Sequence, residues 1–192
     1  MDFKKINELA VEVHKNAVEH GFWEGNPSDE HCLCLVISEL MEAVEADRKG
    51  RHANLEAFKK SLKEYHKINS QNEIVKKLRL KEDFECYIKQ TIEDEISDAF
   101  IRLLDLAGAK GITLERDSRV YYWVTSEKSF TENIFEIVKI MATRDTADYL
   151  YLNCCFKNIM GLAEILGFDL EYHVRLKMRY NALREYKHGK AY

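Results

Sequence analysis

Apolar positions recur at helical spacing along most of the chain. Phe3, Ile6, Leu9, Ala10, Val13 and Ala17 mark a first amphipathic helix over about 3–19, which Gly21 ends. Asn26 followed by Pro27 reads as an N-cap and first-turn pair, with Asp29 opening a second helix that runs to Lys49. Residues 51–81 are polar and basic and predict one or two helices around a break at INSQN, 68–72. A long helix is expected over about 82–108, ended by Gly108 and Gly111. The stretch 112–130 has no clear period, and VYYWV within it fits a short strand or an interface segment. Three more helices are expected at 131–143, 146–166 and 169–187, the last two closed by Gly167 and Gly189. With β-type alternation almost absent and no linker-like tract, the pattern predicts an all-α helical bundle folded as a single domain over 1–192.

Two helices break the amphipathic rule in the same way. In ISELMEAVEADRKG (37–50), projection at about 100° per residue puts Leu33, Ile37, Leu40 and Val44 on one apolar stripe, with Ser38 and Glu45 facing water. Glu39 and Glu42 fall on a third arc padded by Cys32, Leu35, Ala43 and Ala46. In TIEDEISDAFIRLLDLA (91–107), Glu95 lies among Ile88, Ile92, Ala99 and Leu106, with Asp98 one turn on at the edge of that stripe. Carboxylates spaced i, i+3 bring their Cβ atoms within about 5–6 Å. At an effective dielectric near 20 such a pair repels by roughly 3 kcal/mol. Four gathered between two helices cost several times that, so something must neutralise them. Hard divalent cations, internal Lys or Arg partners, or protonation each suffice. A di-iron carboxylate site would need Glu-x-x-His on two helices, and the sequence has a single such pair, Glu185 with His188.

Composition narrows the setting. One proline, eight glycines and 46% hydrophobic residues describe a folded chain of 192 residues with room for a sizeable core. The segment MDFKKINELAVEVHK has no uninterrupted apolar run, so neither a signal peptide nor a membrane span is expected. Five cysteines (32, 34, 86, 154, 155), none at two-residue spacing, fit small core residues in a reduced, cytoplasmic protein better than zinc ligands. The net charge of −4 gives no global attraction for nucleic acid. Residues 48–81 nonetheless carry eleven Lys or Arg against three Glu, which fits a solvated helical face and lacks the interleaved aromatics of a nucleic-acid surface. The rival reading of the chain is a catalytically silent binding module that uses this tract for nucleic acid or a protein partner.

On the last helix, His173, Lys177, Tyr180, Asn181 and Arg184 share one arc, apart from Leu176, Met178, Ala182 and Leu183. Such a stripe can hold phosphate oxygens, Arg by two prongs and Lys as a point charge. Acid pairs suited to a cation and a basic stripe suited to phosphate together point to a metal-bound polyphosphate.

The acid motifs Glu39-x-x-Glu42 and Glu95-x-x-Asp98 resemble the ExxE…ExxD signature of the all-α nucleoside triphosphate pyrophosphohydrolases, the MazG-like group. VHKNAVEHGFW, with His14 and Trp23, and KMRYNALREYKHGK, with Lys177 and Asn181, are similar to segments that line the nucleotide site in that group. The resemblance covers about 1–50, 82–108 and 162–190, with two insertions at about 50–81 and 112–160. It implies a helical, oligomeric enzyme (dimer or tetramer) with a nucleotide-pool role that converts (d)NTP and water to (d)NMP and pyrophosphate. Glu39, Glu42, Glu95 and Asp98 would hold Mg²⁺, with Mn²⁺ as a substitute. Substrate contacts would come from His14, Trp23, Lys177, Asn181 and Arg184. Arg102, one turn beyond Asp98, stands where relatives carry an aromatic residue.

Overall fold

The computed structural model describes residues 1–68, 72–117, 119–143 and 148–186. Among them are eight helices and no strand: α1 (Phe3–Glu19), α2 (Asp29–Arg48), α3 (Leu55–Ile68), α4 (Glu73–Tyr87), α5 (Ile92–Ala109), α6 (Phe130–Ala142), α7 (Tyr149–Leu166) and α8 (Leu170–Asn181). The expected all-α bundle is what the chain forms. The expected helix end near Gly189 lies outside the described residues, as do residues 69–71 of the break expected at 68–72.

α5 is the central rod, packed by α1, α2, α7 and α8. Its sequence accounts for that place, because Ile92, Ile96, Ala99, Phe100, Leu103, Leu104, Leu106 and Ala107 are all buried and cover more than one face. α1 lies close against it. A Cβ added at Gly108 would sit 2.5 Å from the Ala10 carbonyl oxygen and 2.6 Å from His14 Cβ, so only glycine allows this approach. Gly108→Ala should therefore destabilise the protein by about 2 kcal/mol, as overpacking does. That outweighs the gain of about 1 kcal/mol that alanine brings inside a helix. Urea unfolding checks it; a variant as stable as the parent would show that α1 can shift freely.

Several boundaries differ from expectation for local reasons. α2 is capped by Ser28, whose side chain accepts from the His31 N–H, and not by Asn26, which adopts φ +51° in the preceding turn. The helix expected over 82–108 is two helices. α4 ends at Tyr87, Gln90 takes φ +61°, and Thr91 starts α5 by accepting from the Asp94 N–H. Asp94 in return accepts from the Gln90 N–H at 3.0 Å, and Thr91 donates to the Ile88 carbonyl at 2.7 Å. The basic addition is therefore a hairpin, α3–α4, that reaches Tyr87. It packs on α8 through a second small core of Phe58, Leu80, Phe84, Ile88, Leu176 and Tyr180, with the Phe84 and Tyr180 rings stacked at 4.3 Å.

VYYWV is neither strand nor helix. Val120 and Val124 are buried, while Tyr121, Tyr122 and Trp123 face outward. Side chains satisfy its backbone: Asn158 Oδ1 accepts from the Trp123 and Val124 N–H groups, Asn158 Nδ2 donates to the Tyr121 carbonyl, and Lys157 and Lys128 donate to the Val120 and Trp123 carbonyls. α8 stops at Asn181 rather than 187, and a turn through Leu183 and Arg184 follows. Tyr186 then lies against Gly21 and donates to Glu24, tying the end of α8 to the loop after α1.

Candidate functional site

On α2 the buried residues are Leu33, Val36, Glu39, Leu40, Ala43 and Ala46, while Ile37 and Val44 are only half-buried. The arc that carries Glu39 is thus turned inward, toward α5. Glu39 and Glu95 are buried and Glu42 is exposed, and oxygens from all three lie within 4.8 Å of one another. Glu42 and Glu95 make no hydrogen bond or ion pair among the described residues. Asp98 stands outside this trio. Its Oδ2 is 2.7 Å from Lys177 Nζ, which is equally close to Asp94 Oδ1. Arg102 Nε donates to Glu39 Oε1 at 2.6 Å.

The charges do not balance. Five carboxylates (Glu39, Glu42, Asp94, Glu95, Asp98) face two cations, Arg102 and Lys177. The surplus shows in the acid strengths. Burial, reinforced by neighbouring Asp94, pushes the Glu95 carboxyl up to about 9. Burial and nearby Asp98 also raise Glu39, although Arg102 pulls it back. Asp94 is pushed up by burial to about 6 in spite of Lys177. Burial works against the Lys177 ammonium, but Asp98 and Asp94 overcome it and hold the amine above the ordinary lysine range. The trio offers hard oxygen donors only, the set that Mg²⁺ or Mn²⁺ accepts. No cysteine belongs to it. Cys32 is half-buried nearby with its thiol pushed up to about 11 by burial, and Cys34, expected in the core, is exposed.

Glu39 of this trio and Asp98 line a cleft of about 110 Å³. Its walls come from the end of α1 (Val13, Asn16, Ala17), the loop holding Phe22, Trp23 and Pro27, and the start of α2 (His31, Cys32, Leu35, Glu39). α5 adds Asp98, Ile101, Arg102 and Asp105, and the end of α8 adds Asn181 and Arg184. Trp23, Asn181 and Arg184 are therefore brought together as expected. His14 is not part of the wall. Its Nδ1 lies 2.8 Å from Asp105 Oδ1, the oxygen that also accepts from Trp23 Nε1 at 2.8 Å, so His14 and Trp23 are fixed through one carboxylate. Lys177 is also absent from the wall, because its ammonium is held inside by the two aspartates.

Asp94 and Asp105 went unread in the sequence. Asp105 sits on the Asp98–Arg102 stripe of α5, spaced i+7 and i+3, and that register is the signal that could have found it. The arc of α8 read as an open basic face is instead buried at His173, Lys177, Tyr180 and Asn181.

Part of the basic tract has acidic partners close in sequence. Arg48 and Lys49 reach Glu45, Lys76 reaches Glu73, Arg79 reaches Asp83, and Lys59 lies over the Tyr172 ring. Among the described residues no helix is long and apolar enough to cross a membrane. Comparison with known protein families, with curated proteins and with solved structures finds no match for this chain.

Proposed function

We propose that this chain is a metal-dependent nucleoside triphosphate pyrophosphohydrolase that cleaves (d)NTP to (d)NMP and pyrophosphate. The observation that carries the reading is the surplus of carboxylates between α2 and α5, three of them converging within 4.8 Å, with Glu39 of that trio and Asp98 lining a half-apolar cleft. Glu39, Glu42 and Glu95 would hold Mg²⁺ or Mn²⁺. The bound ion would supply charge neutralisation for the phosphates and a more acidic water.

The chain's own groups do the rest. Trp23, fixed by Asp105, gives a flat wall for a base. Arg102, bonded to Glu39 at the acid end, is the cation placed to meet phosphate oxygens with a two-pronged contact. Lys177 acts indirectly: it holds Asp98 in place from within. Asp98 lines the cleft and stands outside the trio, and is the candidate to orient the nucleophile.

A pyrophosphate-release screen across (d)NTPs with Mg²⁺ and Mn²⁺ tests the reading. Release is expected from at least one nucleotide, abolished by chelation and by Glu39→Gln or Glu42→Gln in proteins that remain folded. Absence of release from the whole panel, or release undiminished in both variants, overturns it.

A further inference from the structure

We propose that residues 120–124, VYYWV, pair with the same residues of a second copy of this chain as a two-fold antiparallel ribbon centred on Tyr122. The surface belongs to the addition at about 112–160, outside the segments that carry the acid motifs, so it stands apart from the hydrolase reading.

The segment is extended backbone with one edge filled and the other open. In such backbone the carbonyl of one residue and the N–H two residues on point to one side. The N–H and carbonyl of the residue between them point to the opposite side. Here the Asn158 amide takes the first side: its Nδ2 donates to the Tyr121 carbonyl at 3.1 Å, and its Oδ1 accepts from the Trp123 N–H at 2.7 Å. Asn158 is buried on α7, so this edge faces the protein. The Tyr122 N–H and carbonyl therefore point outward, and neither makes a hydrogen bond among the described residues. The side chains alternate to match. Tyr122 and Val124 lie over Gly161 of α7, while Tyr121 and Trp123 line a groove beside Ile140 and Leu150.

In an antiparallel ladder, a residue whose N–H and carbonyl both face the neighbouring strand exchanges both bonds with the residue opposite. A second copy supplies that residue as its own Tyr122. The sequence reads nearly alike in both directions, Val-Tyr-Tyr-Trp-Val. A two-fold axis at Tyr122 thus sets Tyr121 opposite the partner's Trp123, and Val120 opposite the partner's Val124. Aromatic pairs placed directly across a ladder stabilise it, and a contact of this self-complementary kind closes at two subunits. The rings are available, because Tyr121, Tyr122 and Trp123 are 67%, 52% and 49% exposed. Together they offer about 300 Å², somewhat under half of the roughly 800 Å² that each partner gives to a standard interface. The pairing is accordingly a concentration-dependent one, in the micromolar range.

Analytical ultracentrifugation of the full chain at about 100 µM, above such a dissociation constant, tests this with Tyr122→Pro and Trp123→Ser. Proline removes the Tyr122 N–H at an open edge, where it is tolerated. The parent should sediment with twice the mass of either folded variant. Equal masses in the parent and both folded variants overturn the inference, whether that mass is one chain or several, since any assembly then uses another surface. Tyr122→Cys keeps the test open should those variants fail to fold. Residues opposite each other in a hydrogen-bonded pair stand about 5.5 Å apart at Cα, within disulfide reach. Mild oxidation should therefore give a dimer bridged at position 122, located by peptide mass mapping. Bridges confined to the native cysteines overturn the pairing. Pyrophosphate release is measured separately, and its presence or absence leaves both results unchanged.

Discussion

Lys177→Met should destabilise the protein by about 3–5 kcal/mol, the loss expected when one member of a buried ion cluster is removed. The Lys177 ammonium lies 2.7 Å from Asp94 Oδ1 and 2.7 Å from Asp98 Oδ2, with side-chain exposures of 6%, 1% and 19%. Methionine matches the lysine stem, so the loss is one of charge, including the ammonium's place over the Phe84 and Tyr180 rings. Two carboxylates one turn apart on α5 are left facing each other and Glu95. Asp94 also caps the first turn of α5 through Gln90, so its strain is passed to the helix start. The deficit should shrink toward pH 5, because Asp94 already binds its proton near pH 6 and does so more readily without the lysine. Urea unfolding of parent and variant at pH 7.5 and pH 5 measures both. A loss below about 1 kcal/mol at pH 7.5 would class the cluster with exposed pairs and would remove Lys177 as the group that sets Asp98.

Periodicity was enough to find the rods, and most of what it missed has a cause in chemistry that a helical wheel does not represent. α1 and the C-terminal end of α7 stand where the apolar spacing puts them, since both bury one stripe and end at a glycine turn. The break at 88–91 escaped because the apolar stripe continues across it through Ile88, Ile92 and Ile96. The signal was a cap, Thr91 with Asp94, written in polar residues. The two acid pairs were legible as anomalies, because carboxylates among Leu, Cys and Ala need a reason. Which of them a cation neutralises was not legible. Lys177 meets Asp94 across 83 positions of sequence, and Arg102 meets Glu39 across 63. A wheel assigns residues to arcs without saying which arc faces in. That is why the α8 stripe of His173, Lys177 and Asn181 looked like an open basic face and is an interior one.

Glu95→Gln separates a cation site from a merely crowded acid cluster, and the expected effect on metal binding is a loss of at least 100-fold in Mg²⁺ or Mn²⁺ affinity. Glu95 has a carboxyl pushed up to about 9 by burial and by Asp94, against an ordinary value of 4.5, so near neutral pH it holds a proton in the metal-free protein. A raised folded-state pKa means that the folded form binds the proton more tightly than the unfolded chain. The stability it contributes is full below about 4.5 and is lost as pH climbs toward about 9. Metal-free parent protein should therefore show a falling Tm between pH 7 and 9, and the amide of the Glu95→Gln variant, uncharged throughout, should remove that part of the slope. A cation needs the carboxylate, so binding expels the proton and affinity should rise by up to about tenfold per pH unit in the same window. Saturating Mg²⁺ should accordingly flatten the parent's Tm profile and leave that of the variant unchanged. Scanning calorimetry across pH 6.5–9.5, with and without metal, reads all four curves. Identical slopes in parent and variant would mean that Glu95 is not the group under pressure. A metal effect equal in both would place the cation elsewhere than among Glu39, Glu42 and Glu95.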